Sequence, residues 1–247
     1  MTAREDFLAP TAIINADHPK VRDFAHRHQG TSTAVCARAT ALYYAVRDGF
    51  RYDPYDLVLT QHGLSASRVL ETGRGWCVTK AVLLAAACRA VGISAKVGFA
   101  DVRNHLSTAR LRETMKTDLF FWHGYTSIQI NGQWLKATPA FNIELCERFG
   151  LLPLEFDGRA DSIYHPFDRA GNRHMEYLSM RGEFADVPLD EMVRTFAEHY
   201  GHMSRLSDAN FDDDVARETQ PVPARRPDAE SKTADVTVGQ SSSSPSE

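Results

Sequence analysis

The sequence predicts a mixed α+β fold in which a central buried helix carrying a cysteine packs on an antiparallel sheet. Three stretches carry that prediction. From Val78 to Val91 apolar residues lie on nearly every side of a helix, which leaves no face for water and marks the segment as central. "ISAKVGFADV", just after Gly92, alternates enough to form a strand. "LFFWHGYTSIQI" and "QWLKATPAF" flank Asn131 and Gly132, a pair that tolerates the positive φ angles of a two-residue turn, and so form a hairpin.

The remaining elements follow in order. His18 to about Gln29 suits a short polar helix, with Asp17 as its cap and Pro19 in its first turn. Thr31 or Ser32 then caps a second helix, in which Val35, Ala39, Leu42, Tyr43 and Val46 recur near helical spacing. Pro54 ends that pattern. Ser65 or Ser67 caps a short helix through Leu70, and "ETGRG" turns the chain into the apolar helix, Cys77 to about Ala90, with Gly92 at its C-terminal end. The polar stretch from Arg103 to Asp118 reads as a long loop with room for one helical turn. Leu151 to Pro188 is less regular, and "LDEMVRTFAEHYGHM" closes the domain as a helix capped around Asp190. Beyond Ser207 the apolar signal fades into proline, serine and charge. One domain is therefore expected over residues 1–207, and a disordered acidic tail over 208–247.

Composition limits the partners. The chain has 247 residues, of which 43% are hydrophobic and 24% charged, enough to bury a core. The net charge is −4, and the stretch from Asp208 onward holds nine acidic against four basic residues, which leaves the body near +1. No basic face stands out, so nucleic acid is not an expected partner. The N-terminal residues lack the apolar run of a signal peptide. Lys80 and Arg89 interrupt the most apolar stretch, which is too short to span a bilayer. No membrane association is expected, and the expected compartment is the cytoplasm. Cys36, Cys77, Cys88 and Cys146 are widely spaced with no C-x-x-C pair, so neither a disulfide framework nor a zinc knuckle is suggested. No other metal-ligand spacing is present, and no cofactor is expected.

Cys77 has two readings. Cysteines on apolar helices are commonly inert packing, as Cys88 is expected to be. A helix N-terminus, however, stabilises a thiolate through unpaired N–H groups and the helix dipole. Gly73 and Gly75 permit a sharp turn just before it. Acyl transfer by a thiol also needs an imidazole to accept its proton and a third group to orient that imidazole. Of ten histidines, His123 is the best placed, on the first strand of the hairpin, where a rigid backbone aims a side chain.

The combination is more specific than either residue. "GRGWC" opening a helix, then "AVGISAKVGFA", "WHGY" and "NGQWLKATPAF", resembles the core of the transglutaminase-like superfamily, whose fold is akin to that of papain-like cysteine proteases. That core reads G-x-C at a helix start, then a small-residue-rich helix ending GI-x-A-R. H-x-W/Y-x-E-V follows on one strand, and G-x-W with D-P-T on its neighbour. Residues 65–142 carry the match. The resemblance implies Cys77 as nucleophile and His123 as general base. Tyr125 falls on the family's aromatic and Trp134 on its hairpin tryptophan, while Trp76 is placed to line an acyl pocket.

One departure stands out. The family's aspartate follows the hairpin tryptophan by four residues and precedes a proline; here that place holds Thr138, before Pro139. With Ile130 facing Gln133 across the turn, Thr138 falls opposite Tyr125 and diagonal to His123 on the same face. Three alternatives stay open: Thr138 orients the imidazole as a neutral acceptor, Asn142 takes that place as in a Cys-His-Asn set, or the triad is degenerate. Arg103, Asn104 and His105, at the start of the polar loop, are candidate contacts over a cleft to a substrate carboxylate or amide.

The reading that follows is cysteine-dependent acyl transfer at an amide bond of a peptide or protein, through Cys77, His123 and an acyl-enzyme. Hydrolysis is preferred to transfer onto an amine because no calcium loop of the D-x-D-x-D-G type is present. It requires the sulfur to lie within hydrogen-bonding range of the ring. The alternatives are a peptide-binding module that kept the fold without turnover, and a scaffold whose acidic tail recruits a partner.

Overall fold

The computed structural model describes residues 7–104, 107–163, 167–172, 174–200 and 209–219. Helices α1 (Pro19–His28) and α2 (Val35–Gly49) lead through a two-residue strand, β1 (Arg51–Tyr52), to α3 (Gln61–Leu64) and α4 (Ala66–Thr72). The short β2 (Arg74–Gly75) pairs in parallel with β1 and delivers the chain into α5 (Cys77–Ala90). Strand β3 (Ala95–Asn104), α6 (Ala109–Met115), β4 (Leu119–Ile130), β5 (Gln133–Ala137) and α7 (Ile143–Phe149) follow. The described chain then forms β6 (Met175–Phe184), α8 (Leu189–His199) and α9 (Phe211–Glu218).

Every residue of α5 from Cys77 to Arg89 is buried, as its unbroken apolar surface requires. It packs against β4 and β3 on one side, with α1, α2 and α4 on the others. Two basic side chains inside this helix are bound by backbone oxygen, which offsets the cost of burying them. Lys80 Nζ donates to the carbonyls of Arg47 and Phe50, both at 2.8 Å, at the C-terminal end of α2. Arg89 donates to the carbonyls of Ala9, Ala95 and Ala185 and so stitches three distant segments together.

The sheet is antiparallel throughout, in the order β5-β4-β3-β6. Asn131 (φ 50°) and Gly132 (φ 86°) make the left-handed turn of the hairpin. Ile130 faces Gln133 and Thr126 faces Ala137, the register expected from the sequence. Alternation along the strands separates two cores. Val97, Phe99 and Ile128 belong to the main core, while Ala100, Val102 and Met175 form a small second core with Phe120 and Phe141.

Some local expectations differ. The cap of α1 is His18 rather than Asp17, and α2 begins after Ala34, so neither Thr31 nor Ser32 caps it. The sequence reading has no strand over Met175–Phe184. β6 is an edge strand with exposed Leu178 and Met180 and two register shifts against β3, so its residues do not alternate cleanly. The largest correction concerns the tail. Residues 211–218 are the helix α9, with Phe211, Asp214 and Val215 buried. Its signal is short and set among charges, but Phe211 packs edge-on to Tyr52 and Tyr55, and Asp214 accepts from the Tyr55 hydroxyl and from Arg110.

Candidate active site

The stretch "GRGWC" divides into three jobs. Gly73 (φ 71°) ends α4 in the left-handed conformation. Gly75 leaves room for the first turn of α5, since a β-carbon there would lie 2.5 Å from Thr79 Oγ1. That hydroxyl accepts the Trp76 N–H at 3.0 Å and caps the helix, so Cys77 is its first residue. The Cys77 sulfur is approached by the backbone N–H groups of Val78 and Gly124. Gly124 fits because a β-carbon would come within 2.8 Å of Val78 Cα and 3.1 Å of the Cys77 carbonyl. The strand backbone next to His123 therefore presses directly on the helix end.

His123 is aimed by a β-bulge. Ala100 pairs with His123, but Val102 pairs with Phe120, so β4 carries one extra residue opposite Asp101. Trp122 sits in the bulge at φ 62°, a region costly for a bulky side chain. Asp101 holds the bulge in place: its Oδ1 accepts the Trp122 N–H at 3.3 Å and Arg181 Nε at 2.5 Å. The Arg181 guanidinium lies 4.5 Å from the centre of the Trp122 ring.

Cys77 and His123 line one cavity. The imidazole also lines a second cavity, with Thr138 and His174. Both members of the pair are almost fully buried, at 6% and 5% exposure. Burial disfavours charge on each. It pushes the Cys77 thiol up to about 11, against the lowering effect of the N–H groups of Gly124 and Val78. It pulls the His123 imidazole down to about 4, helped by the nearby His174. The resting pair near neutral pH is thus thiol and neutral imidazole, not a preformed ion pair. Among the described residues no hydrogen bond joins the thiol to the ring, and His123 Nε2 is buried without a partner. The expected hydrogen bond between sulfur and ring is therefore not formed in this state.

The other expected site residues divide. Trp76 lines the cavity of the pair, edge-on to Phe196 at 6.0 Å. Thr138 shares the second cavity with His123, and its hydroxyl is buried without a partner. Asn142 is not brought to the imidazole: its Oδ1 accepts the Tyr52 N–H at 3.1 Å, and it lines neither cavity that His123 lines. Tyr125 also lines neither, because its ring lies over Gly98, where a β-carbon would meet it at 2.1 Å. Arg103 pairs with Asp118 at 3.1 Å and Glu176 at 3.7 Å. Its strand neighbours Val102 and Asn104 line the cavity instead, because alternate side chains leave opposite faces of the sheet. His105 lies outside the described residues.

Sequence reasoning missed His174, which stacks on Phe141 at 5.8 Å beside the second cavity. It also missed Phe196 and Tyr200, which extend the first cavity from α8. No local pattern marks His174, since it precedes an edge strand in an irregular segment. The helix α8 was legible, but not what it covers. Among the described residues, no three His, Cys, Asp or Glu side chains cluster as metal ligands. No described helix is long and apolar enough to cross a membrane.

A family model described as the Transglutaminase-like superfamily matches residues 22–139. Among solved structures, the chain is similar to a candidate cysteine protease from Cytophaga hutchinsonii, at 19% identity and a TM-score of 0.44. The match covers 74% of this chain and 55% of that one. It is also similar to a candidate protease from Parabacteroides distasonis, at 15% identity and a TM-score of 0.34, over 51% of this chain and 25% of that one. The chain thus spans little more than half the length of the first and a quarter of the second. No curated protein matches. The α+β fold, with α5 and its cysteine packed on the antiparallel sheet, is transglutaminase-like. Residues 22–139 form a transglutaminase-like superfamily domain, and Cys77 and His123 both lie within it.

Proposed function

We propose that the protein is a cysteine-dependent acyl-transfer enzyme that hydrolyses amide bonds in peptides, with Cys77 as nucleophile and His123 as general base. The observation that carries this reading is the shared cavity: a thiol at the first residue of a helix and a strand imidazole form parts of one wall. Because burial keeps both groups neutral, proton transfer accompanies attack rather than preceding it. The sulfur bonds to the amide carbonyl carbon while its proton passes to His123. The backbone N–H of Cys77, at the start of α5, is the donor assigned to the negative charge that develops on oxygen. Collapse breaks the C–N bond, His123 returns its proton to the leaving amine, and a thioester remains. Water, deprotonated by His123, then attacks the thioester, and the departing sulfur regains a proton. Thr138 is the neutral neighbour of the imidazole, where the family pattern has a carboxylate.

A small activated ester tests the reading. p-Nitrophenyl acetate should acetylate Cys77 in preference to the more exposed Cys36, as read by intact-mass and peptide mass spectrometry. His123→Ala should slow acetylation about 100-fold, the ordinary contribution of a general base. Equal labelling of Cys36 and Cys77, unchanged by His123→Ala, would remove the catalytic assignment. A second reading, a peptide-binding module without turnover, is favoured by the missing carboxylate and by the unbonded Nε2 of His123. It predicts peptide affinity unaffected by Cys77→Ser and no acyl-enzyme.

A further inference from the structure

The cavity beside Cys77 decides what chemical group can bring a carbonyl to the sulfur, and its walls are apolar. Val102, Phe120 and Met175, from three neighbouring strands, make its floor. Trp76 and Phe196 form an edge-to-face aromatic wall, and the buried Leu111 and Met115 of α6 add to the apolar lining. Among the described residues that line it, none is Lys, Arg, Asp or Glu. Apart from the Cys77–His123 pair, its polar groups are the amide of Asn104, the phenols of Tyr52 and Tyr200, and the indole N–H of Trp76, which is buried without a partner. The Tyr200 hydroxyl is already engaged, accepting the Phe121 N–H at 2.7 Å and donating to the Leu119 carbonyl at 2.6 Å. A charged or amide side chain entering this space would shed water and find few partners, whereas an aromatic or branched aliphatic one would replace water with apolar contact.

We propose that the site selects acyl donors whose side chain on the carbonyl side of the scissile bond is aromatic or branched aliphatic, and discriminates against glutamine and charged side chains. Phe196 is the specificity-determining residue. It and Tyr200 come from α8 and its C-terminal end, Met175 from β6, and all three lie past the family-matched residues, so this chain's own C-terminal elements set the preference. The proposal rests on Cys77 being the nucleophile.

The experiment compares p-nitrophenyl esters of N-acetylated phenylalanine, leucine, glutamine, glutamate and lysine, with p-nitrophenyl acetate as reference and Cys77 acylation read by mass spectrometry. Phenylalanine and leucine esters should acylate Cys77 about 100-fold faster than the glutamine and charged esters. Phe196→Ala should cut the phenylalanine-to-glutamine ratio about tenfold. Leu57→Asp, which places a carboxylate at a half-buried position of the lining, should shift preference toward the lysine ester and serves if Phe196→Ala does not fold. Rates within threefold of one another, or a glutamine preference, would overturn the selectivity while Cys77 acylation by the reference ester still upheld the nucleophile. Failure of every ester, the reference included, to acylate Cys77 would overturn both.

Discussion

His123 sits where burial, not a charged partner, sets its protonation. Its imidazole is pulled down to about 4 from an ordinary value near 6.5, so the unfolded chain binds a proton in a range where the folded one does not. That contribution to stability is intact above about pH 6.5 and is lost as the pH falls toward 4. The loss is about 3 kcal/mol over that window. Chemical denaturation from pH 7.5 to 4 should therefore show an acid limb about 3 kcal/mol shallower in His123→Gln than in the natural protein. Thr138→Asp should also flatten the limb, because a carboxylate facing the same cavity would lift the imidazole back toward its ordinary value. Identical limbs in all three proteins would mean that the ring is not held neutral by its surroundings.

Among the elements, the contact between α5 and β4 matters most for the site. The helix ends on the strand at Gly124, and the bulge at Trp122 turns the next side chain, His123, onto the face of the second core. Gly124→Ala would drive a methyl group to 2.8 Å from Val78 Cα, where only backbone could yield. It should destabilise the fold by about 2 kcal/mol and lower Cys77 acylation by at least about tenfold, through displacement of the helix end. Gly49→Ala is the control, since nothing lies within 4 Å of its new methyl group. Equal melting temperatures and acylation rates for the two variants would show that the helix end does not depend on this close approach.

Across the whole molecule, α9 ties α6, which helps line the cavity, to the rest of the fold. Its Asp214 is buried, accepts from Arg110 Nε at 2.7 Å and the Tyr55 hydroxyl at 2.9 Å, and pairs with Arg217 at 3.1 Å. Glu218 accepts the Ala109 N–H at 2.8 Å at the start of α6, and Asp212 pairs with Arg51 at 2.9 Å. Asp214→Ala should loosen α6. Both arginines are well exposed, so the global cost should be only about 1–2 kcal/mol. Hydrogen exchange at residues 109–115 should nonetheless rise by more than that in the sheet. Uniform exchange across the molecule would show that α9 is not tied to α6 in particular.

Local pattern made part of this legible from sequence alone. The span of α5, the register of the hairpin and the positions of Cys77 and His123 at a helix start and on a strand all depend on periodicity, turn chemistry and capping, which act over a few residues. The departure at Thr138 was equally plain, because it is a matter of residue type. Tertiary structure alone decided which side chains meet. Asn142 turned to the Tyr52 backbone, Arg103 to the other face of its strand, and Tyr125 to the space above Gly98. His174 and Phe196 reached the two cavities from segments far along the chain. Such meetings depend on a bulge, on edge pairing and on the packing of α8 and α9, whose energies come from contacts between residues distant in sequence, and no local pattern encodes those.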